Sequence, residues 1–238
     1  MVTAVFAETP VPTFKSWVAD LESRGVKVSA GLWDLSSGKL LEGNQTTMAL
    51  IPASTTKVVS TYALLKSLKP NYTLETEVWG ELQNGTVRGD LVFKGGGDPL
   101  FTKERIWLLL QDLKARGVQR VAGRVRLDQS AFDGQLFGVG WENTTSDTTP
   151  PILPLSVNFN RDDNGRILRS PERYALDYLT RMLVESGIAV EGGGDSKGPS
   201  AKLAGLASPP LHQLVQDINK FSNNFMVEML VKRFGDGS

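Results

Sequence analysis

Pro52-Ala53-Ser54-Thr55-Thr56-Lys57 runs straight into Val58-Val59-Ser60-Thr61-Tyr62-Ala63-Leu64-Leu65, so a serine stands three residues before a lysine at the mouth of an apolar, helix-forming run. Positions i and i+3 of a helix share one face, which brings the ammonium and the hydroxyl within hydrogen-bond reach without help from distant residues. A lysine taken out of water loses its proton near neutral pH and can then activate the hydroxyl. The free amides of a helix start also favour negative charge developing on the serine oxygen. The same residues have a plainer reading, as the N-cap of a solvated helix.

Far downstream, Asn219-Lys220-Phe221-Ser222-Asn223-Asn224-Phe225 precedes a second apolar run, and Ser222 with Asn224 makes a Ser-x-Asn. Ser-x-x-Lys followed by such a motif is a signature of penicillin-binding proteins and class A β-lactamases, where a Lys-Thr-Gly completes the set. Further stretches narrow the choice. They are Gly89-Asp90-Leu91-Val92-Phe93-Lys94-Gly95-Gly96-Gly97-Asp98-Pro99, Gly123-Arg124-Val125-Arg126-Leu127-Asp128-Gln129-Ser130-Ala131-Phe132, Gly140-Trp141-Glu142, Leu155-Ser156-Val157-Asn158-Phe159-Asn160 and Ser208-Pro209-Pro210-Leu211. With these the chain resembles the D-alanyl-D-alanine carboxypeptidase/endopeptidase family of low-molecular-mass penicillin-binding proteins, the type with a large insertion between its first two motifs.

The resemblance implies an α+β fold: a penicillin-binding-protein/β-lactamase-like transpeptidase domain, antiparallel sheet with helices, from residues 1–75 and 171–238, and an inserted α/β lobe at 76–170. It implies that Ser54 attacks the bond between two D-alanines of a peptidoglycan stem peptide with neutral Lys57 as base. Ser222 would relay a proton to the leaving amine, and Asn224 would bind the substrate amide and hold Lys57 in place. β-Lactams would acylate the same serine, and the setting would be periplasmic or extracytoplasmic, with peripheral membrane association and oligomeric state left open. The alternative is a catalytically inactive or non-catalytic peptidoglycan-binding module of the same fold, although such a module needs no lysine beside the serine.

No Lys-Thr-Gly or His-Thr-Gly occurs in the 238 residues, and a short Asp162-Asp163-Asn164-Gly165 turn stands where the family carries further β structure. The chain therefore reads as an incomplete form of the family, with residues expected to be missing near Asn160–Arg166 and after Ser238. Without the strand that supplies one oxyanion donor, activity is expected to fall by about a hundred to a thousandfold.

Composition excludes several other classes. Lysine plus arginine equals aspartate plus glutamate at 26 each, so no basic excess points to nucleic acid. There is no cysteine and one histidine, His212, which removes disulfides and the common zinc spacings; no cofactor or metal is expected. Gly95-Gly96-Gly97 is followed by no Gly-Lys-Ser/Thr and reads as a turn, not a phosphate loop. His212 reads as a surface residue. Asp98, Asp128 and Asp133 read as turn or strand-end acids, so paired-carboxylate chemistry is not expected.

Periodicity places helices at Phe14–Leu21, Lys103–Arg116, Pro171–Ser186, from Pro210 through Ile218, and from Phe225 to Phe234. Strands are expected at Val26–Leu32, Tyr72–Leu82, Thr86–Phe93 across an Asn84-Gly85 turn, and Val118–Leu127. Thr144–Pro154 and the glycine-rich Gly192–Pro199 read as loops, and Val5-Phe6-Ala7 as the tail of an export signal.

Overall fold

The computed structural model describes residues 12–138, 150–193 and 201–235. Gly140-Trp141-Glu142, most of the Thr144–Pro154 loop, the stretch Gly194–Pro199 and the Val5-Phe6-Ala7 signal remnant lie outside the described residues. The chain divides into two compact units, Met1–Ala53 and Ser54–Ser238.

In the first unit Thr13 caps helix α1 (Phe14–Ser23) by accepting from the Ser16 amide at 3.2 Å. Gly25, at φ +80°, ends that helix in a left-handed turn. A hairpin follows, β1 (Ala30–Trp33) antiparallel to β2 (Leu40–Asn44). Its turn is nucleated by Asp34, whose Oδ1 accepts from the Ser36 and Ser37 amides at 2.9 and 2.7 Å. The Ser36 hydroxyl, then the Ser37 amide and hydroxyl, hold the Asp34 carboxyl down to about 2. The strand expected from Val26 is shorter because side chains take its ladder positions. Asn44 Nδ2 donates to the Val28 carbonyl at 3.0 Å, and the Ser29 hydroxyl donates to the Gln45 carbonyl at 2.9 Å.

The second unit runs α2 (Thr56–Ser67), β3 (Glu75–Gly80), β4 (Leu82–Gln83), β5 (Thr86–Val87), β6 (Leu91–Lys94), α3 (Lys103–Ala115), β7 (Arg120–Val121) and β8 (Val125–Asp128). It continues with α4 (Pro171–Glu185), β9 (Ala189–Val190), β10 (Ala201–Ala207), α5 (Leu211–Phe221) and α6 (Asn224–Phe234). One four-stranded sheet has the order β10-β3-β6-β8, antiparallel except for the β6/β8 pair. The other has the order β4-β5-β7-β9.

The single hairpin expected over residues 72–93 is therefore split between two sheets, and so is the strand expected at 118–127. Both halves still pair antiparallel across Asn84-Gly85, β4 with β5 beside the turn and β3 with β6 beyond it, and the φ values of +49° and +78° suit a tight hairpin turn. The split occurs at glycines. A Cβ on Gly123 would lie 2.3 Å from the Gly89 backbone, so these two segments touch main chain to main chain and the strands must diverge around them.

Two apolar cores result. Val78, Phe93, Ile106, Leu110, Leu179 and Leu183 pack the sheets against α3 and α4. Leu64, Leu214, Ile218, Phe225 and Met229 join α2, α5 and α6. The first core and both sheets take in residues beyond 170: α4 packs on β8 and β9, and β10 is the edge partner of β3. We propose that the inserted lobe closes at Ala207, not Ser170. The chain crosses between the cores at a pair of neighbouring residues, where the Leu74 amide donates to Ser208 Oγ at 3.0 Å and the Ser208 amide to the Leu74 carbonyl at 2.7 Å.

The glycine run at 95–97 is a buried close approach and not the open turn expected. A Cβ on Gly96 would sit 2.0 Å from the Glu75 carbonyl oxygen, and one on Gly95 would sit 2.3 Å from the Leu155 amide nitrogen. Backbone cannot yield as a flexible side chain would. Gly96→Ala is expected to cost about 1–3 kcal/mol, read as a lower urea midpoint at unchanged slope.

Candidate active site

Ser54 lies in the short 3-10 turn Ala53–Thr55 that leads into α2. The preceding Ala53 has φ +47°, a left-handed conformation that alanine adopts only under constraint. Ser54 is exposed, whereas Lys57, one turn on, is 8 % exposed. Lys57 Nζ stands 3.0 Å from Ser54 Oγ. Burial pushes the Lys57 ammonium below its ordinary value, which favours the neutral amine that can accept the serine proton. The capping alternative is not what the structure contains, since no side chain caps α2.

Behind this pair, the buried Thr61 hydroxyl donates to the Lys57 carbonyl at 2.7 Å and accepts from Asn219 Nδ2 at 3.1 Å. Asn219 belongs to the last turn of α5, three residues before Ser222. The lysine helix is thus bonded to the helix that delivers the second motif, and it packs against both α5 and α6. Neither Thr61 nor Asn219 was singled out by sequence. Their only signal was spacing, one turn after Lys57 and one turn before Ser222.

Ser222 caps the C-terminus of α5 in a left-handed conformation, φ +53° and ψ +41°. The Asn223 side chain caps α6 by accepting from the Met226 amide at 3.0 Å, leaving Asn224 as the first residue of that helix. The Ser-x-Asn motif is therefore a two-helix corner, as its position between apolar patterns suggested. Ser222 and Asn224 line a cavity of about 370 Å³ with Phe159, Phe221 and Phe225. Among the described residues their side chains make no hydrogen bond to Ser54 or Lys57, whose ammonium bonds the serine hydroxyl alone.

The remaining acids and the histidine are structural. Asp98 holds the turn that follows it, Oδ1 accepting from the Leu100 amide at 2.9 Å, and it is also fully buried and paired with Arg105 at 2.7 Å, which its reading as a turn acid did not include. Asp128 caps the Ser130 amide, and Asp133 caps Gln135 while pairing with Lys232 at 2.7 Å. His212 is exposed, with Nδ1 3.1 Å from the Pro70 carbonyl.

Comparison with known proteins places the chain in a family. The D-Ala-D-Ala carboxypeptidase 3 (S13) family matches residues 15–168 and 155–237. The D-alanyl-D-alanine carboxypeptidase DacB of Haemophilus influenzae is 29% identical over 137 residues, 55% of this chain and 29% of its own length. A carboxypeptidase of Mycobacterium tuberculosis is 28% identical over 222 residues, 86% of this chain and 47% of its own. The chain thus spans less than half the length of these curated relatives. Among solved structures, penicillin-binding protein 4 of Haemophilus influenzae superposes with a TM-score of 0.73 at 21% identity, over 90% of this chain and 64% of that one. The same protein in complex with a β-lactam gives a TM-score of 0.63 at 20% identity, over 91% and 64%. These likenesses establish the fold as that of the penicillin-binding type.

Proposed function

Because the chain belongs to the D-Ala-D-Ala carboxypeptidase 3 (S13) family, we propose that the protein carrying it is a serine-type D-Ala-D-Ala carboxypeptidase or endopeptidase. Its substrates are peptidoglycan stem peptides, and its setting is outside the cytoplasm. Among the described residues no helix is long and apolar enough to cross a membrane. The observation that carries the reading is the contact between the buried Lys57 ammonium and the Ser54 hydroxyl.

In this mechanism neutral Lys57 takes the Ser54 proton as Oγ attacks the carbonyl between two D-alanines. The tetrahedral intermediate collapses to an acyl-enzyme as its C–N bond breaks, and Ser222 gives its proton to the departing amine while taking from the Lys57 ammonium the proton that came from Ser54. Asn224 hydrogen-bonds the substrate amide, and water then hydrolyses the ester. A β-lactam offers the same carbonyl on a ring that opens without leaving, so the ester persists. Similarity to a protein solved with a β-lactam bound supports this expectation.

The test is release of D-alanine from a synthetic pentapeptide stem by the full-length protein, followed against pH. Burial lowers the Lys57 pKa from 10.5, so the amine stays neutral to lower pH than a free lysine. The rate is expected to fall about tenfold per pH unit once the pH drops below that lowered value, as the base becomes protonated. An acid limb set by a free lysine near 10.5 would overturn Lys57 as a desolvated base. Absence of D-alanine release at every pH would favour the non-catalytic binding module.

A further inference from the structure

Three consecutive residues, Asn158, Phe159 and Asn160, have φ values of +51°, +59° and +53°. Asparagine visits the left-handed region readily, but a phenylalanine there is an outlier, and three in a row make a left-handed turn that L-residues resist. Such strain persists only where the surroundings impose it, and it gathers at functional sites.

The restraint is specific. Asn160 is fully buried, and its Nδ2 donates to the Pro151 carbonyl at 2.7 Å and to Ser156 Oγ at 2.8 Å. The Ser156 hydroxyl donates in turn to the Leu153 carbonyl at 2.8 Å. Backbone bonds close the turn on both sides, from the Asn158 amide to the Phe101 carbonyl at 3.1 Å and from the Leu168 amide to the Asn160 carbonyl at 3.0 Å. The turn moves the chain from one core to the other. Val157 is buried with the lobe, whereas Phe159, two residues later, packs into the helix core.

There the Phe159 ring meets Phe225 edge-on, centroids 5.8 Å apart and planes at 64°. Phe225 directly follows Asn224, and both rings line the cavity that Ser222 and Asn224 open into. Ser222 is itself left-handed, and the contact that joins this corner to the turn at 158–160 is the one between the Phe225 and Phe159 rings. We propose that Phe159 is a positioning residue: its strained turn, locked by Asn160, braces the ring of Phe225 and so fixes the Ser-x-Asn corner against the lobe. Through this contact the inserted lobe sets the geometry of the second motif. The inference rests on Ser222 and Asn224 acting as proposed above.

The test compares wild type with Phe159→Ala and Phe159→Leu in the full-length protein, using benzylpenicillin as probe. The acylation rate constant is taken per molecule that accepts label, so misfolded protein drops out. Phe159→Ala is expected to slow acylation about tenfold and Phe159→Leu about threefold, because a small displacement of a proton-relaying group is costly in rate. Adding Phe225→Ala to Phe159→Ala is expected to cost nothing further, since both act through one contact. Hydrogen exchange supplies a second readout: the amides of Asn223 and Asn224 are expected to exchange faster in both variants, with those of Glu75–Gly80 unchanged. Unchanged rate constants with unchanged exchange at the corner overturn the proposal, as do fully additive effects of the two phenylalanines. If wild type takes no label on Ser54, the catalytic reading fails, and exchange at the corner alone then decides the bracing role. If Phe159→Ala does not fold, Phe159→Leu gives the same decision.

Discussion

Ser54→Ala is expected to abolish covalent labelling by benzylpenicillin, and Lys57→Ala to slow it by about a hundred to ten thousandfold while leaving the fold intact. The two replacements fail for different reasons. Without Oγ there is no atom to form the ester, so no adduct appears in the intact mass at any exposure time. Without the amine, the hydroxyl that stands 3.0 Å from Nζ keeps its position but loses its proton acceptor, and the adduct forms slowly. Lys57 is buried along α2 between the turn of Ser54 and the Thr61 hydroxyl, so truncation also opens a space. Thermal melts alongside the labelling separate lost chemistry from lost packing. An adduct mapped by peptide sequencing to any serine other than Ser54 would falsify the assignment.

The second large effect is expected at Arg105→Ala, a loss of about 3–5 kcal/mol in folding stability, because it strands a buried carboxylate. Asp98 is fully buried, and its Oδ2 lies 2.7 Å from Arg105 Nη1, which also donates to the Leu100 carbonyl at 2.8 Å. The other guanidinium nitrogen, Nη2, donates to the carbonyl of Ala207, the last residue of β10. One side chain therefore ties the glycine segment, the start of α3 and the strand that leads back to the helix core. Asp98→Asn is expected to cost less, since the Arg105 side chain is 20% exposed and keeps water and two carbonyls as partners.

The pH dependence follows from the sign. Burial raises the Asp98 pKa above 3.8 against the pull of Arg105, and removing Arg105 raises it further. Between 3.8 and that raised value the native state binds more protons than the unfolded one, so stability increases as pH falls. The deficit of Arg105→Ala should then shrink in acid. A deficit that is constant from neutral pH down to the unfolded value would remove Asp98 as its cause.

Local features were legible where one element carried the whole pattern. Phe14–Ser23, Lys103–Ala115 and Pro171–Glu185 form the expected helices, each marked by apolar spacing and, for α4, by proline at its start. Ser54 and Lys57 meet because they stand three positions apart where the 3-10 turn runs into α2, a spacing that puts both on one face. Strands fared less well. A two-residue strand such as β9 has no periodicity to read, and β10 (Ala-Lys-Leu-Ala-Gly-Leu-Ala) has none of the β-branched residues that mark strands. Its place at the sheet edge is instead secured by Lys202, 2.7 Å from Glu75 and 3.1 Å from Glu77 on the neighbouring strand.

The residues alone were enough for the Ser54–Lys57 contact, the two-helix corner at Ser222 and the family, because each is written in short local motifs. It took the folded chain to show that the sheets divide at Gly89 and Gly123, that Asp98 is a buried ion-pair partner, and that Phe159 is held left-handed against Phe225. Each of these depends on contacts between segments tens of residues apart, whose energies outweigh local preference. A glycine looks the same in sequence whether it turns or admits another backbone, and a carboxylate looks the same whether it faces water or arginine. The partner that distinguishes the two cases arrives only when the chain has folded.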